Sequence, residues 1–413
     1  MLKKTAFQSL IELIVGTKMR PFEGIKIIDA THVLAGPFAA YQMAVLGAEV
    51  IKIDDPANMD QVREQGPDNE LNSSGMGTYY LTQASNKRSM TLNLKSKMGR
   101  NILHKLIKSS DVFIENFRAG ALTKIGLGYD ELKKNNQNLI YCSMTAFGQE
   151  GPRSNQTAYD MQIQATSGLM CSTGTSDVNP IKVGPPVVDY ATGSIAAFAI
   201  ASALFQREKT KTGQYIDQSM FDVSMMLMAA DVTNYLWSGI PPKPSGNDHP
   251  FSGGRCYETE DGLLMLGAMN RKQHKRLFLL INEPEIATET DAVSRLQNSE
   301  YQSNLLSEIL KSESSEYWEN YFQDNHIPAT KVRPLEDALN DPHLKNRGIL
   351  HEFPNFLGTD QTLSVPIAAF KYNHDGPRID SPPPQLGQHT KEILSEIGMN
   401  ENEIKALQAQ KVI

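Results

Sequence analysis

Long basic runs are missing from this chain. Its 413 residues carry 40 Lys and Arg against 47 Asp and Glu, a net charge of −7. A general nucleic-acid binder needs a basic field, so that class is excluded. Cysteine is scarce: Cys142, Cys171 and Cys256 stand far apart, outside any paired motif. That excludes a zinc site or a disulfide framework and points to a reducing, cytoplasmic setting. No G-x-G-x-x-G fingerprint follows a strand, so a nicotinamide or flavin cofactor has no support. Internal repeats and low-complexity tracts are absent as well. The most apolar run past the N-terminus, IAAFAIASALF, is too short to span a bilayer, and no membrane partner is expected. The opening residues, MLKKTAFQSLIELIVGTKMR, pair a charged front with an apolar stretch. Glu12 interrupts that stretch and no small-residue cleavage site follows, so a short amphipathic helix is expected in place of a signal peptide.

What is present alternates. GIKIIDA reads as a buried strand, and THVLAGPFAAYQMAVLG opens a helix at Gly36-Pro37. AEVIKID then reads as a second strand, giving a βαβ unit. The alternation continues through RSMTLNL (88–94), DVFIENF (111–117) and LIYCSMTAFG (139–148), with helical stretches between them. This pattern predicts an α/β fold, a Rossmann-like large domain with a doubly wound, mostly parallel sheet. Ligands of such sheets collect at the carboxyl ends of the strands. From about residue 222 the character changes to a Met-rich helix, a Pro- and Gly-containing loop, a hairpin in CYETEDGLLMLGAM and polar helices. The expected division is a large domain over 1–221, a smaller α+β domain over 222–330, and a C-terminal part over 331–413.

Four constellations are candidates for chemistry. In PPVVDYATGSIAAFAIASALF, Asp189 stands before an almost wholly apolar helix expected over about 191–206. Either it caps that helix, or it is a partly desolvated nucleophile whose ionised form the helix dipole favours. An all-round apolar helix is expected to be buried. In SNKRSMTLNLKSKMGR, Lys87, Arg88, Lys95, Lys97 and Arg100 crowd one strand and a helix start. They read either as a solvated basic face or as a phosphate clamp. THVLAGP is either an ordinary turn or a ligand loop. FSGGR offers Gly253-Gly254 as a turn or a mobile lid.

Taken together, these pieces resemble the family III CoA-transferases, the group of formyl-CoA and carnitine CoA-transferases and 2-methylacyl-CoA racemases. The resemblance runs in order through GIKIIDATHVLAGPFAAYQMAVLGAEVIKID, NKRSMTLNLKS, DVFIENFRAGALTKIGL, AYDMQIQATSGLMCSTG, VVDYATGSIAAFAIASALFQREKTKTGQYID and LGQHT. It implies a C-terminus that returns to the large domain and a homodimer interlocked like two rings. It implies that Asp189 is the catalytic nucleophile, passing through an aspartyl-CoA thioester, and that Asp160 and Tyr159 of AYD line the same site. CoA contacts are implied at Val33, Leu34 and Ala35, at Leu92, Leu94 and Lys95, and at Asn116, Phe117, Ala121 and Lys124. Acyl-CoA and a carboxylic acid would be the substrates, with no metal and no redox cofactor. The family's glycine-run lid is reduced here to Gly253-Gly254. Leu34 replaces a glutamine of the formyl-CoA enzyme and Asp55 replaces a basic residue, so a formyl or oxalate preference does not carry over.

The resemblance leaves two alternatives to transfer. One is an acyl-CoA racemase of the same fold, the other a non-catalytic CoA-binding partner protein. The racemases place a histidine before the aspartate of AYD and a glutamate in the small domain. Here those positions are Tyr159 and Asn270. A phenol is a poor base near neutrality and an amide exchanges no proton. The intact Asp189 speaks against a non-catalytic role.

Overall fold

Five apolar runs and one mixed run become six parallel strands. The computed structural model describes residues 19–289 and 291–413, and the amphipathic helix expected at the N-terminus lies outside them. In chain order the large unit contains β1 (Lys26–Ala30), α1 (Ala35–Ala44), β2 (Glu49–Asp54), β3 (Lys87–Thr91), α2 (Lys97–Ile107), β4 (Val112–Glu115) and β5 (Ile140–Thr145). Next come α3 (Asp160–Ser167), α4 (Val187–Thr210), β6 (Tyr215–Ser219), α5 (Met220–Leu227) and α6 (Ala229–Ser238). The strands lie in the order β3-β2-β1-β4-β5-β6, all parallel. The order reverses between β1 and β4, which makes that the topological switch point.

Both faces of the sheet are covered, as a parallel sheet requires. On one face Ile27, Val50, Val112, Ile114, Ile140 and Cys142 meet α1 and α4 through Ala39, Ala40, Met43, Ala196, Ile200 and Leu204. On the other, Ile28, Ile51, Met90 and Phe113 meet Leu103 and Leu106 of α2 and the C-terminal helices Thr390–Glu396 and Glu401–Ala409. Each such side chain, fully buried, contributes roughly 1.5–3 kcal/mol. The LGQHT segment explains the return of the C-terminus. His389 Nδ1 accepts the Ser89 N–H at 3.1 Å, and Thr390 Oγ1 accepts the Thr91 N–H at 3.0 Å. These bonds fasten the C-terminal helices to the edge strand β3.

β6 escapes a reading by apolar runs. YIDQS is an edge strand, half-exposed over its first residues, so burial does not demand a continuous hydrophobic stretch. α4 differs from expectation in two ways. It is longer, and one of its faces is open in this chain: Phe198 is 73% and Phe205 65% exposed. By length and composition α4 alone among the described helices matches a membrane span, yet its Ala- and Ile-lined stripe packs on α1 and the sheet.

The compact units divide at other points than the sequence suggested. One comprises residues 1–169, 182–240 and 348–413, the other 170–181 and 241–347. The Met-rich helices α5 and α6 stay with the large unit because α5 continues directly from β6. The small unit extends past 330 to include the helices Leu335–Asn340 and Pro342–Arg347. Within it, β7 (Cys256–Glu258) and β8 (Leu263–Leu266) form the expected hairpin, and β9 (Ala329–Lys331) adds a third antiparallel strand. Its own core gathers Leu264, Leu277, Phe278, Leu306, Trp318 and Phe322.

Candidate active site

The loops that leave β1 and β4 at the switch point line a cavity of about 550 Å³. The THVLAGP loop is held tightly. The Asn116 side chain accepts the His32 N–H and donates to the His32 carbonyl, both at 2.8 Å. Asp60 accepts the Val33 N–H at 3.1 Å, and Gln83 donates to the Val33 carbonyl at 2.7 Å. Val33 sits at φ +70, a left-handed conformation that is costly for a β-branched residue. These hydrogen bonds hold it there. Beneath the loop, the Lys87 ammonium lies 2.9 Å from Asp29 and donates to the Pro37 carbonyl at 2.8 Å. Lys52 and Arg63 pair with Asp54 at 2.8 and 3.0 Å.

Asp189 lines this cavity from the first turn of α4. Among the described residues its carboxylate has no hydrogen bond or ion pair. The capping role falls to Asp160. Its carboxylate accepts the Val188 N–H at 2.8 Å and the Asp189 N–H at 3.0 Å, and the Gln164 amide donates to its other oxygen. Asp189 therefore does not cap the helix, and its carboxylate stands unpaired in the cavity wall. Burial first, and then the Asp160 charge, push the Asp189 carboxyl up to about 7. Gly193, one turn further, permits the approach of α4 to α1: a Cβ there would lie 2.5 Å from the Ala35 carbonyl oxygen. Thr192 lines the same cavity, and its buried hydroxyl has no partner among the described residues.

A second cavity of about 530 Å³ shares His32, Val33, Phe117 and Tyr159 with the first. Its wall includes Leu92, Leu94, Lys95 and Ala121, while Leu34, Ala35 and Asn116 line the first. Nearly all the CoA-contact positions implied by resemblance thus gather around two adjoining cavities. Lys124 lines neither. Asp160 lines neither; it works from behind the helix start, and its neighbour Tyr159 faces both. The phosphate-clamp reading fails for two residues. Lys87 is buried against Asp29, and Arg88 is spent on Glu49, Glu392 and Glu396. Lys95, Lys97 and Arg100 remain, and of these Lys95 lines the second cavity, its side chain 81% exposed and 3.2 Å from Asp55.

His32, at the junction of the two cavities, stacks edge-on against Phe117 at 5.3 Å. Burial and Lys52 hold its imidazole below its ordinary pKa. His32, Asp54 and Asp60 bring ligand atoms within 4.8 Å of one another, but Lys52 and Arg63 already neutralise the carboxylates. In the small unit, Gly253 and Gly254 form a buried turn. A Cβ on either would collide, with the Ala268 carbonyl oxygen at 2.5 Å or the Met269 sulfur at 2.4 Å. Backbone packing alone therefore requires Gly253, whereas at Gly254 the clash falls on the movable end of Met269. Asn270 caps the helix Arg271–Leu280, accepting the Gln273 N–H at 2.9 Å.

Sequence reasoning missed Arg118, Thr192 and Gln162, which also line the Asp189 cavity. Arg118 lay inside a quoted motif but belonged to no basic cluster. Thr192 lies one helical turn after Asp189, and that spacing was a usable signal.

Comparison with known proteins identifies the chain's relatives. The model of CoA-transferase family III matches residues 22–390. The chain is 35% identical over 386 residues to the succinyl-CoA:glutarate CoA-transferase of Mus musculus, covering 92% of this chain and 87% of that one. It is 34% identical over 386 residues to the succinate–glutarate CoA-transferase of Agrobacterium fabrum, covering 91% and 96%. The crystal structure of a CaiB/BaiF family protein from Brucella suis superposes with a TM-score of 0.79 at 32% identity, over 92% of this chain and 100% of that one.

Proposed function

The chain belongs to CoA-transferase family III, and we propose that Asp189 is the nucleophile through which it works. It moves CoA from an acyl-CoA to a free carboxylic acid. In the proposed route the Asp189 carboxylate attacks the thioester carbonyl, giving a mixed anhydride and the CoA thiolate. The thiolate attacks the aspartyl carbonyl, releasing the donor acid and leaving an aspartyl-CoA thioester. The acceptor carboxylate repeats the sequence in reverse and takes the CoA, and Asp189 returns to its starting form. Every step trades one anion for another, so the route uses neither metal nor redox cofactor.

The observation that carries this reading is the free, half-buried carboxylate in the cavity wall, with its helix-capping duty taken over by Asp160. A carboxylate held short of solvent and beside a like charge is more basic, hence more nucleophilic, than one in water. The adjoining cavity with its apolar wall and Lys95 suits the pantetheine and phosphate parts of CoA. The activities of the mouse and Agrobacterium relatives, both with glutarate, support a dicarboxylic acid as acceptor.

The same reading includes a homodimer and a reducing, cytoplasmic location. The exposed apolar face of α4 joins an argument from α6, where Leu236 is 77% and Trp237 92% exposed. A second copy would cover such surface. The three cysteines are unpaired, as suits a reducing compartment.

The test is mass spectrometry of protein quenched in acid during turnover. The peptide containing Asp189 should gain the mass of CoA, and Asp189→Ala should show neither adduct nor transfer. An adduct on another residue, or near wild-type turnover in the variant, would overturn the assignment.

A further inference from the structure

Arg118 lies in the wall of the Asp189 cavity. No other Lys or Arg lines that cavity. Its guanidinium has no ion pair or hydrogen bond among the described residues, in a chain with an excess of acid. Arg118 is exposed, so its unpaired guanidinium is open to an incoming anion, and Arg gains most when matched to a carboxylate in a planar, two-point pair. Its backbone, by contrast, is fixed. Glu115 accepts the Phe117 N–H at 2.8 Å, Asn116 is doubly bonded to His32, and Gln149 accepts the Gly120 N–H at 3.1 Å. A free cation on a rigid loop is arranged for something that arrives from outside. The phosphates of CoA have a separate cation, Lys95, in the adjoining cavity.

We propose that Arg118 is the specificity residue that receives the second carboxylate of a dicarboxylic substrate while the first reacts at Asp189. The assignment rests on the dicarboxylate reading above. When the acceptor arrives Asp189 is tied up as the uncharged aspartyl-CoA thioester, so Arg118 is the charged group in the cavity wall that holds the far carboxylate and orients the acid with its reacting end toward the thioester. A monocarboxylic acid makes no use of this contact.

The experiment measures kcat/KM for glutarate and for butyrate as acceptors, with one acyl-CoA donor held constant. In a route through a covalent enzyme intermediate, this ratio reports the acceptor half-reaction alone. A charge-assisted pair of this type is worth a factor of about 10–100. Arg118→Gln should lose that factor with glutarate relative to butyrate, chiefly through KM. Arg118→Lys should recover part of the loss. Because Arg118 holds nothing within the fold, the thermal midpoint should not move. Equal losses with both acids would overturn the assignment, since they would point to CoA binding or structure. A preference for glutarate that survives Arg118→Gln would overturn it and leave the dicarboxylate reading standing. A wild-type enzyme that serves only monocarboxylic acids would remove both.

Discussion

Replacing Asp189 by Asn should destroy transfer and stabilise the protein, and the second effect should depend on pH. The Asp189 carboxyl rises from 3.8 to about 7 in the folded chain. Between those values the native state binds more protons than the unfolded chain, so stability falls as pH rises through the window. At ~1.36 kcal/mol per pH unit, the ceiling of that loss is about 4 kcal/mol, reached above the folded pKa. Asp189 is not fully enclosed, and water entering the cavity screens part of this, leaving an effect on the order of 1–3 kcal/mol. Asn keeps the shape and removes the charge. Denaturant midpoints of both proteins should be measured above the folded pKa and again near 3.8. Because the chain contains two compact units, the comparison is between variant and wild type at each pH and not between absolute stabilities. Asp189→Asn should unfold later than wild type at the higher pH, with the gap closing on acidification. A variant less stable than wild type at the higher pH, or a gap independent of pH, would refute the claim that the site holds an energetically unfavourable carboxylate.

Asp160→Asn should shift the acidic limb of the pH profile of kcat/KM to lower pH, because the Asp160 charge helps to raise Asp189; an unmoved limb would leave Asp160 as a cap only. Asp160→Ala removes the cap on α4 as well, at a cost of about 0.5–2 kcal/mol, read as a lower thermal midpoint. Lys95→Ala should raise KM for acyl-CoA more than it lowers kcat, and the loss should shrink in high salt, which screens an exposed charge. An unchanged KM at low salt would remove Lys95 from the CoA site.

The strands were legible where burial is total. Ile140–Thr145 is buried at every position, and a strand covered on both faces reads as a near-continuous apolar run. The edge strand Tyr215–Ser219 carries no such demand and left no signal. Helix α4 shows the opposite failure. Its apolar sequence implied complete burial, yet Phe198 and Phe205 on one face stay exposed. Composition records apolar surface but not whether this chain buries it. The basic stretch around β3 was ambiguous for a related reason. Lys87 finds Asp29 across 58 residues of sequence, and Arg88 finds Glu396 across 308. Those partners are set by sheet order and by the returning C-terminus, so a local charge count could not tell a clamp from buried ion pairs.

Asp189 itself illustrates how far local reasoning carries. Its place before an apolar helix left two readings open, cap or nucleophile, and both were physically sound. What separates them is Asp160, 28 and 29 residues away from the amides that it accepts. A helix start needs its free amides satisfied, but nothing in that need says which carboxylate must do it. If Asp189 met the need itself, hydrogen bonds to the amides would lower its pKa and blunt it as a nucleophile. With Asp160 in that role, the amides are satisfied, a like charge is set beside Asp189, and burial does the rest. One long-range substitution of partners thus turns an ordinary first-turn aspartate into a raised, unpaired carboxylate facing a cavity. That arrangement costs stability at neutral pH and, in the proposed route, makes the residue reactive. On that proposal the pair, and not Asp189 alone, is the unit on which the chemistry depends.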